Sequence, residues 1–207
     1  MPLQNRVTPE GEIIATPARG TMMGNRGGCF HTADKALAGR RWVSRQWICC
    51  ELAFRGRHRE VMAPRRYTEL FFLDETTALA AGHRPCFECR RGDAMRFTEL
   101  WAEACARPSR PRAADMDRVL HAERLLPDGG KRVFSGRLGD LPSGCMVREA
   151  EGVSLIAGGR LLPWTCEGYG VPREFAPARV VEVLTPPAIV ALLHLGLAPR
   201  LHASARR

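Results

Sequence analysis

Apolar and polar residues alternate along residues 40–54, and this pattern predicts an extended strand. One face of that strand carries Ile48, Cys50 and Leu52, whereas Cys49 points to the other face. Because two aliphatic side chains flank Cys50, we expect the face of Cys50 to be the buried one.

Residues 1–28 are rich in glycine, proline and threonine and end in GTMMGNRGG, residues 20–28, whose successive glycines predict a tight backbone path and no regular element. An apolar run then predicts a strand over residues 67–73. A helix is expected to follow, with Asp74 as its N-cap and Gly82 as its end. Apolar residues at helical spacing predict a second helix over residues 93–106, so a sharp turn separates the two helices.

The second half of the chain shows a different pattern. Residues 108–117 are predicted to form a linker or an exposed loop, and residues 117–126 a short helix. From residue 129 onward, glycine-rich turns separate short apolar runs, which is typical of a small twisted sheet or a partial barrel. Residues 185–196 predict a closing helix with Thr185 as its N-cap.

These elements predict an α+β fold, in which a small α/β module precedes a glycine-rich, mainly β region and a C-terminal helix. We place the module at residues 20–106, after an N-terminal extension of residues 1–19. Residues 107–128 form a linker with a short helix. This linker joins the module to the mainly β region, residues 129–207.

The length and composition of the chain limit its class. A chain of 207 residues can bury a full hydrophobic core without depending on metals or disulfides for its fold. The first residues contain no apolar run of the kind found in signal peptides, and no segment approaches the roughly 20 apolar residues of a membrane span. We therefore expect a cytoplasmic protein with no membrane partner. Its eight cysteines are then reduced, and serve as metal ligands, buried apolar groups or reactive thiolates.

Positive charge is concentrated in one part of the chain. The net charge is +9, and residues 40–66 hold eight arginines against two acids. All but two of the 31 basic residues are arginine, which is the better bidentate partner of phosphate oxygens. We expect contact with DNA, without excluding RNA, although a solvated basic face would have the same composition. The residues predicted to contact nucleic acid are Arg40, Arg41, Arg45, Arg55, Arg57, Arg59, Arg65, Arg66, Arg90 and Arg91.

The spacing Cys86-x-x-Cys89 predicts a metal site. A turn with this spacing supplies two ligands of a structural zinc ion from one backbone loop. The same spacing occurs in thioredoxin-like redox sites, but there it follows a strand, whereas here a predicted helix precedes it. We therefore predict that the module contains zinc as its cofactor, bound by Cys86 and Cys89 at the start of the second helix.

Two further zinc ligands are expected upstream of the Cys-x-x-Cys turn. The candidates are Cys29, His31, Cys49, Cys50 and His58. Cys49 and Cys50 are neighbours on the predicted strand and point to opposite faces, so at most one of them binds. We select Cys50, whose alternative role is that of a small buried apolar residue. From the irregular loop we select His31, with Cys29 and Cys49 as the alternates.

A second pattern competes for the same cysteines. His58 and Glu60, followed by Cys86 and Cys89, match the H-x-E and P-C-x-x-C signature of the zinc nucleobase deaminases. In that alternative the histidine and the two cysteines hold zinc, and the glutamate carries the proton. Pro64 interrupts the helix that H-x-E would need, and a predicted helix separates the two motifs. The deaminase is therefore kept as an alternative function.

The stretch ELFFLDETTALAAGHRPCFECRRGD, residues 69–93, resembles the zinc-binding N-terminal domain of the Ada-type DNA methylphosphotriester repair proteins. The shared features are the FF-x-D motif, the alanine-rich helix ending in AAG and the following RPC-x-x-C. The resemblance implies that Cys86 and Cys89 bind zinc, that the partner is DNA, and that a zinc-bound thiolate accepts a methyl group. The family's upstream Cys-x-x-x-Cys pair has no counterpart in this chain, so no methyl acceptor is assigned.

Together these features predict a zinc-containing DNA-binding protein that takes part in DNA repair or DNA processing. Whether the protein is an enzyme is left open. Besides the deaminase, a second alternative is a zinc-stabilised protein-interaction module whose basic face meets an acidic partner. Nucleic acids and acidic proteins are both polyanions, so the charge pattern alone does not separate these functions.

Overall fold

The computed structural model describes residues 1–57 and 60–206, and it combines helices with two six-stranded sheets. This architecture confirms the predicted α+β class. None of the helices in the described residues is long and apolar enough to cross a bilayer. The helices are α1 (Glu75–Ala80), α2 (Arg91–Ala104), α3 (Ala113–Arg124) and α4 (Pro187–His194).

The first sheet is built from short strands of the N-terminal half. They are β1 (Gln4–Val7), β2 (Ile13–Ala15), β3 (Met22–Asn25), β4 (Ile48–Cys50), β5 (Leu70–Phe72) and β6 (Arg84–Pro85). Their order across the sheet is β2-β1-β5-β3-β4-β6. The pairs β1 with β5 and β4 with β6 are parallel, and the other pairs are antiparallel. Strand β4 therefore lies beside the start of the Cys-x-x-Cys turn.

Strand β3 lies within residues 20–28, so the prediction of no regular element there is wrong, and β1 and β2 lie within the predicted N-terminal extension. Each strand is only three or four residues long, which is too short for alternation to be read. Strands β1 and β3 both pair with β5, far along the chain, where Arg6 of β1 lies opposite Phe71. Residues 1–19 thus contribute strands to the same sheet as the predicted module.

The second sheet is formed by the glycine-rich half of the chain. Its strands are β7 (Phe134–Arg137), β8 (Met146–Glu149), β9 (Gly152–Ala157), β10 (Arg160–Thr165), β11 (Gly168–Tyr169) and β12 (Val180–Val183). Their order is β11-β10-β9-β8-β12-β7, and every pair is antiparallel. Helices α2, α3 and α4 share one hydrophobic core with residues of this sheet, including Phe97, Met116, Val147 and Ile189.

Helix α1 is buried along its whole length between the two sheets. Its residues pack into three hydrophobic clusters. Ala78 packs with residues of the first sheet, Leu79 with the core that helices α2, α3 and α4 share, and Ala80 with residues of the second sheet. Asp74 caps the helix as predicted, because its carboxylate accepts a hydrogen bond from the backbone N–H of Thr77 at 3.0 Å. Packing on every side and the Asp74 cap therefore hold α1 in place just before the Cys-x-x-Cys turn.

Two helix boundaries differ from the sequence predictions. Helix α3 begins at Ala113, inside the predicted linker, because its first turn packs Met116 into the core. Helix α4 begins at Pro187, and Thr185 does not cap it. The Thr185 hydroxyl instead accepts a hydrogen bond from the N–H of Met146 on β8, at 2.9 Å. Both differences come from contacts with distant parts of the chain.

Candidate metal centre

Two paired strands bring Cys50 next to Cys86. Strand β4 ends at Cys50 and runs parallel to β6, with Cys49 opposite Pro85. The backbone N–H of Cys86 donates to the carbonyl of Cys49 at 2.9 Å, so the pairing continues up to the thiols. The parallel register therefore places two cysteines that are far apart in sequence side by side.

The Cys-x-x-Cys turn adds the third thiol. After Cys86 the chain turns through residues 87–90 and enters α2. The N–H of Glu88 donates to the sulfur of Cys86 at 3.4 Å, and the N–H of Arg90 donates to the carbonyl of Cys86 at 3.1 Å. These bonds fold Cys89 back toward Cys86, which is the compact turn that two-ligand metal loops adopt.

The sulfur atoms of Cys50, Cys86 and Cys89 all lie within 4.8 Å of one another. Thiolates around a tetrahedral ion with metal–sulfur bonds of about 2.3 Å are about 3.8 Å apart, so this spacing is compatible with a shared ion. In the part of the chain that the structure describes, no other group of three or more cysteine, histidine or carboxylate side chains is placed to hold a metal. These three residues could therefore hold a metal ion.

The three thiols influence one another's ionisation. A hydrogen bond from the Cys50 thiol lowers the pKa of Cys86 to about 5, and the N–H groups of Cys89 and Glu88 act in the same direction. The same hydrogen bond, together with burial, raises the pKa of Cys50 well above its usual range. Burial also raises the pKa of Cys89. At neutral pH Cys86 is therefore ionised, whereas Cys50 and Cys89 hold protons that a metal would displace.

A cavity of about 300 Å³ opens beside the three thiols, and we call it the thiol cavity. Apolar parts of its wall come from Met23, Phe54 and Phe71, and polar parts from residues such as Asn25 and Glu69. A space of this size with a few polar groups in an apolar wall is typical of sites for small molecules. The sulfur atoms are therefore accessible to a group that enters the cavity.

Buried ion pairs hold the turn in place. Arg84, on β6 just before the turn, donates two hydrogen bonds of 2.8 Å to Asp117 on α3. Arg90, at the end of the turn, pairs with Glu75 of α1 at 2.7 Å and with Asp93 at 2.8 Å. Paired bonds between charged groups fix orientation as well as distance. The sequence did not identify these acidic partners, because no local pattern links Asp117 to a turn so far away.

The predicted ligand His31 does not join the three thiols. Its Nδ1 pairs with the hydroxyl of Thr68 at 2.8 Å, and its Nε2 pairs with the carbonyl of Ala63 at 3.2 Å. Both ring nitrogens are thus engaged by protein oxygen atoms. Cys29, one of the alternates, lies beside His31, with its sulfur 3.7 Å from Nδ1. The structure therefore places these two candidate ligands together, but outside the group of three thiols.

Cys49, the other alternate, points away from the thiol cavity. It is fully buried in the core of the first sheet, and Arg90 donates to its sulfur at 3.6 Å. Cys50 lines the thiol cavity instead, and Leu52 on the same face is exposed. The alternation of the two cysteines was predicted correctly, but the face that enters the core is that of Cys49. Apolar residues occur on both faces of the predicted strand, so the sequence did not show which face is buried.

The deaminase pattern receives no support from the described geometry. His58 lies outside the described residues, as does Arg59, one of the predicted nucleic-acid contacts. Glu60 is exposed, forms an ion pair with Lys35 at 2.7 Å, and does not line the thiol cavity. A deaminase needs this carboxylate next to the metal to carry the proton.

Most of the arginines predicted to contact nucleic acid have exposed side chains. Arg90 is the exception among the described residues, because only 3% of it is exposed and its charge is neutralised by Glu75. Its guanidinium is already paired with Glu75 and Asp93, so its predicted role is corrected to that of an anchor for the turn. The exposed arginines are Arg40, Arg41, Arg45, Arg55, Arg57, Arg65, Arg66 and Arg91.

Comparison with known proteins does not assign the chain to a family. No family model matches it, and no curated protein and no solved structure gives a significant match. The function must therefore be inferred from the thiols, the cavity beside them and the charges around them.

Proposed function

We propose that this chain is a zinc-containing DNA-binding protein with a role in DNA repair or DNA processing. Cys50, Cys86 and Cys89 hold the zinc ion in this proposal. The donor set supports zinc, because thiolates favour zinc over hard cations such as magnesium and calcium. Zinc takes four ligands, and the fourth would come from a group that enters the thiol cavity.

The proposal depends mainly on one observation, the presence of exposed arginines in the chain segment that encloses the thiols. Residues 52–67 supply Phe54 and Tyr67 to the wall of the thiol cavity. A nucleic-acid backbone bound by the arginines of this segment would pass close to the cavity mouth. Among the described residues of the segment, the exposed arginines are Arg55, Arg57, Arg65 and Arg66.

Two features support DNA as the partner and repair as the role. Residues 69–93 resemble the Ada-type zinc domain, whose members act on DNA phosphotriesters. Zinc, when bound, keeps cysteine sulfur deprotonated, which is the state that accepts an alkyl group. Cys89 is half-buried whereas Cys50 and Cys86 are buried, so Cys89 is the sulfur that a substrate would reach first.

The test is the salt dependence of binding, measured by fluorescence anisotropy with duplex DNA, single-stranded DNA and RNA of one sequence. The logarithm of the binding constant should fall linearly with the logarithm of salt, with a slope of about −0.9 per phosphate neutralised on duplex DNA. Binding that stays flat between low and moderate salt would contradict phosphate contact. A stoichiometric acidic protein that copurifies in place of nucleic acid would favour the protein-interaction alternative.

A matched pair of double variants locates the contact. Arg55→Ser with Arg65→Ser removes two exposed charges beside the thiol cavity, and each loss should reduce the salt slope by about 0.9. Arg118→Ser with Arg160→Ser removes the same charge from exposed positions outside the predicted contact set. If the control pair weakens DNA binding as much as the first pair does, the arginines beside the thiol cavity are not the binding surface.

A further inference from the structure

A second cavity, of about 540 Å³, lies on the opposite side of the first sheet from the thiols. Neighbouring residues point to opposite sides of a strand, and Asn25 lines the thiol cavity whereas Arg26 lines the second one. In the described residues, no side chain lines both cavities. We call the second space the basic cavity, because five cations line it: Arg26, Arg41, Arg124, Lys131 and Arg148.

Two of these cations are buried as deeply as core residues. Arg26 is 2% exposed and Arg124 is 1% exposed. Their guanidinium carbons lie over the ring of Trp47, at 3.9 Å and 3.8 Å from its centre. Contacts of this kind recover only part of the hydration energy that a buried charge loses.

Neither buried arginine has a carboxylate partner in the described part of the chain. Arg26 donates to the carbonyl of Gly11 at 2.8 Å and to Nε2 of His83 at 3.4 Å. Arg124 donates to the carbonyl of Gly82 at 2.8 Å, and its buried Nε has no hydrogen-bond acceptor among the described residues. Buried arginines are normally neutralised by acids. Asp117 attracts Arg124, but both of its carboxylate oxygens are hydrogen-bonded to Arg84, so neither buried arginine has an acid of its own.

Lys131 adds a third positive group to the basic cavity. Its ammonium group donates to the carbonyl of Ala80. Burial, followed by repulsion from Arg26 and Arg124, lowers the pKa of Lys131 to about 7. The cationic form is therefore only partly populated at neutral pH, and a bound anion would favour it.

The two carboxylates of the basic cavity do not neutralise these groups. Glu10 is bound to Arg148 at 2.7 Å, and Glu12 is exposed. Glu10 does attract Lys131, but less strongly than the two buried arginines repel it. The cavity therefore keeps an excess of positive charge over three groups that lie close together.

We propose that the basic cavity binds a phosphomonoester, with Arg26, Arg124 and Lys131 supplying the positive charge. Guanidinium groups match phosphate oxygens in geometry, and a lysine adds a compact charge. Trp42 offers a flat apolar wall, 6.0 Å from Trp47, and the volume suits a ligand of nucleotide size. A free nucleotide and the 5′-phosphate end of a nucleic-acid strand both carry this chemical group.

Calorimetric titration of the full chain tests the site with four probes. Inorganic phosphate and a nucleoside 5′-monophosphate should bind, whereas the unphosphorylated nucleoside and sodium chloride of equal ionic strength should not. A 5′-phosphorylated oligonucleotide that binds more tightly than its 5′-hydroxyl form identifies the strand end as the ligand. Equal binding of both oligonucleotides, with the mononucleotide still bound, identifies the free nucleotide. Phosphate compounds that bind no better than chloride would overturn the proposal.

Lys131→Met and Arg132→Met form a matched pair of variants. Lys131 lines the basic cavity, whereas the next residue, Arg132, is exposed and does not. Lys131→Met should weaken phosphate binding about tenfold or more, because it removes a charged donor, and Arg132→Met should leave it unchanged. Lys131→Met should also raise the melting temperature of the ligand-free protein, since it removes an uncompensated charge.

Two controls separate this proposal from others. Equal loss of phosphate binding in both methionine variants would place the contact outside the cavity and overturn the proposal. Cys86→Ser should abolish metal binding and leave phosphate binding intact, since Cys86 does not line the basic cavity. A failure of the phosphate site is therefore distinguishable from a failure of the zinc proposal.

Discussion

Asp117→Ala should destabilise the protein strongly, because it leaves Arg84 buried without a carboxylate to neutralise its charge. The two side chains are 5% and 2% exposed and share two hydrogen bonds of 2.8 Å. Removing one member of a buried ion pair costs about 3–5 kcal/mol. In a chain of this size each kcal/mol lowers the melting temperature by about 2–4 °C, so the expected drop is roughly 6–20 °C.

Asp115→Ala is the matched control for this experiment. Asp115 lies on the same helix, α3, and pairs with Arg118 at 3.2 Å, but that pair is exposed to solvent. Exposed ion pairs contribute about 0–1 kcal/mol, so the melting temperature should fall by at most about 4 °C. Thermal unfolding of both variants and the wild type, followed by circular dichroism without added metal, gives the comparison.

The same experiment tests the link between this ion pair and the metal centre. Arg84 lies on β6, directly before the turn that holds Cys86 and Cys89. Asp117→Ala should therefore weaken metal binding as well as stability, whereas Asp115→Ala should change neither. Equal melting temperatures for the two alanine variants would refute the reasoning, since they would show that Arg84 does not depend on Asp117.

Three further predictions concern the thiols and a glycine beside them. Zinc at about a thousand times its dissociation constant should stabilise the fold by about 4 kcal/mol, as seen in melting curves with and without chelator, and Cys50→Ser should remove the effect. Zinc binding at pH 7 should release two protons, from Cys50 and Cys89, because Cys86 with its pKa of about 5 is already ionised. A weakly buffered titration with a pH indicator measures the protons released per zinc ion bound, and release of none would contradict the prediction. Gly82→Ala should cost about 1–2 kcal/mol or more in a denaturant titration, since Gly82 has φ of +85° and an added Cβ would meet a buried arginine at 2.5 Å. Gly92→Ala, at an open position of α2, should instead stabilise the protein by about 1 kcal/mol.

The region around the Cys-x-x-Cys turn was predictable because its signals are local. Asp74 caps α1, and Gly82 adopts the left-handed conformation just after that helix, as its position in the sequence indicated. Cys50 lies with Cys86 and Cys89, although for a different reason from the one that selected it. We selected Cys50 because we expected its face of the strand to be buried, whereas the parallel pairing of β4 with β6 is what places it beside Cys86.

The rest of the architecture depends on contacts between residues that are far apart in the chain. An arginine-rich sequence does not reveal which cations are buried, so nothing marked Arg26 and Arg124 as members of one cavity. Their shared contact with Trp47 joins three separate segments. For the same reason, strands β1 and β3 could not be predicted without knowing that each of them pairs with β5.

The central claim is that Cys50, Cys86 and Cys89 together hold one zinc ion. Metal content, measured by mass spectrometry on protein purified without tags or chelators, tests it most directly in the wild type and in single serine variants. We predict one zinc per wild-type chain, loss of the metal in each of the three variants, and full retention in Cys49→Ser, which changes the neighbouring buried thiol. A metal-free wild type in its reduced form, or equal loss in Cys49→Ser, would contradict the claim.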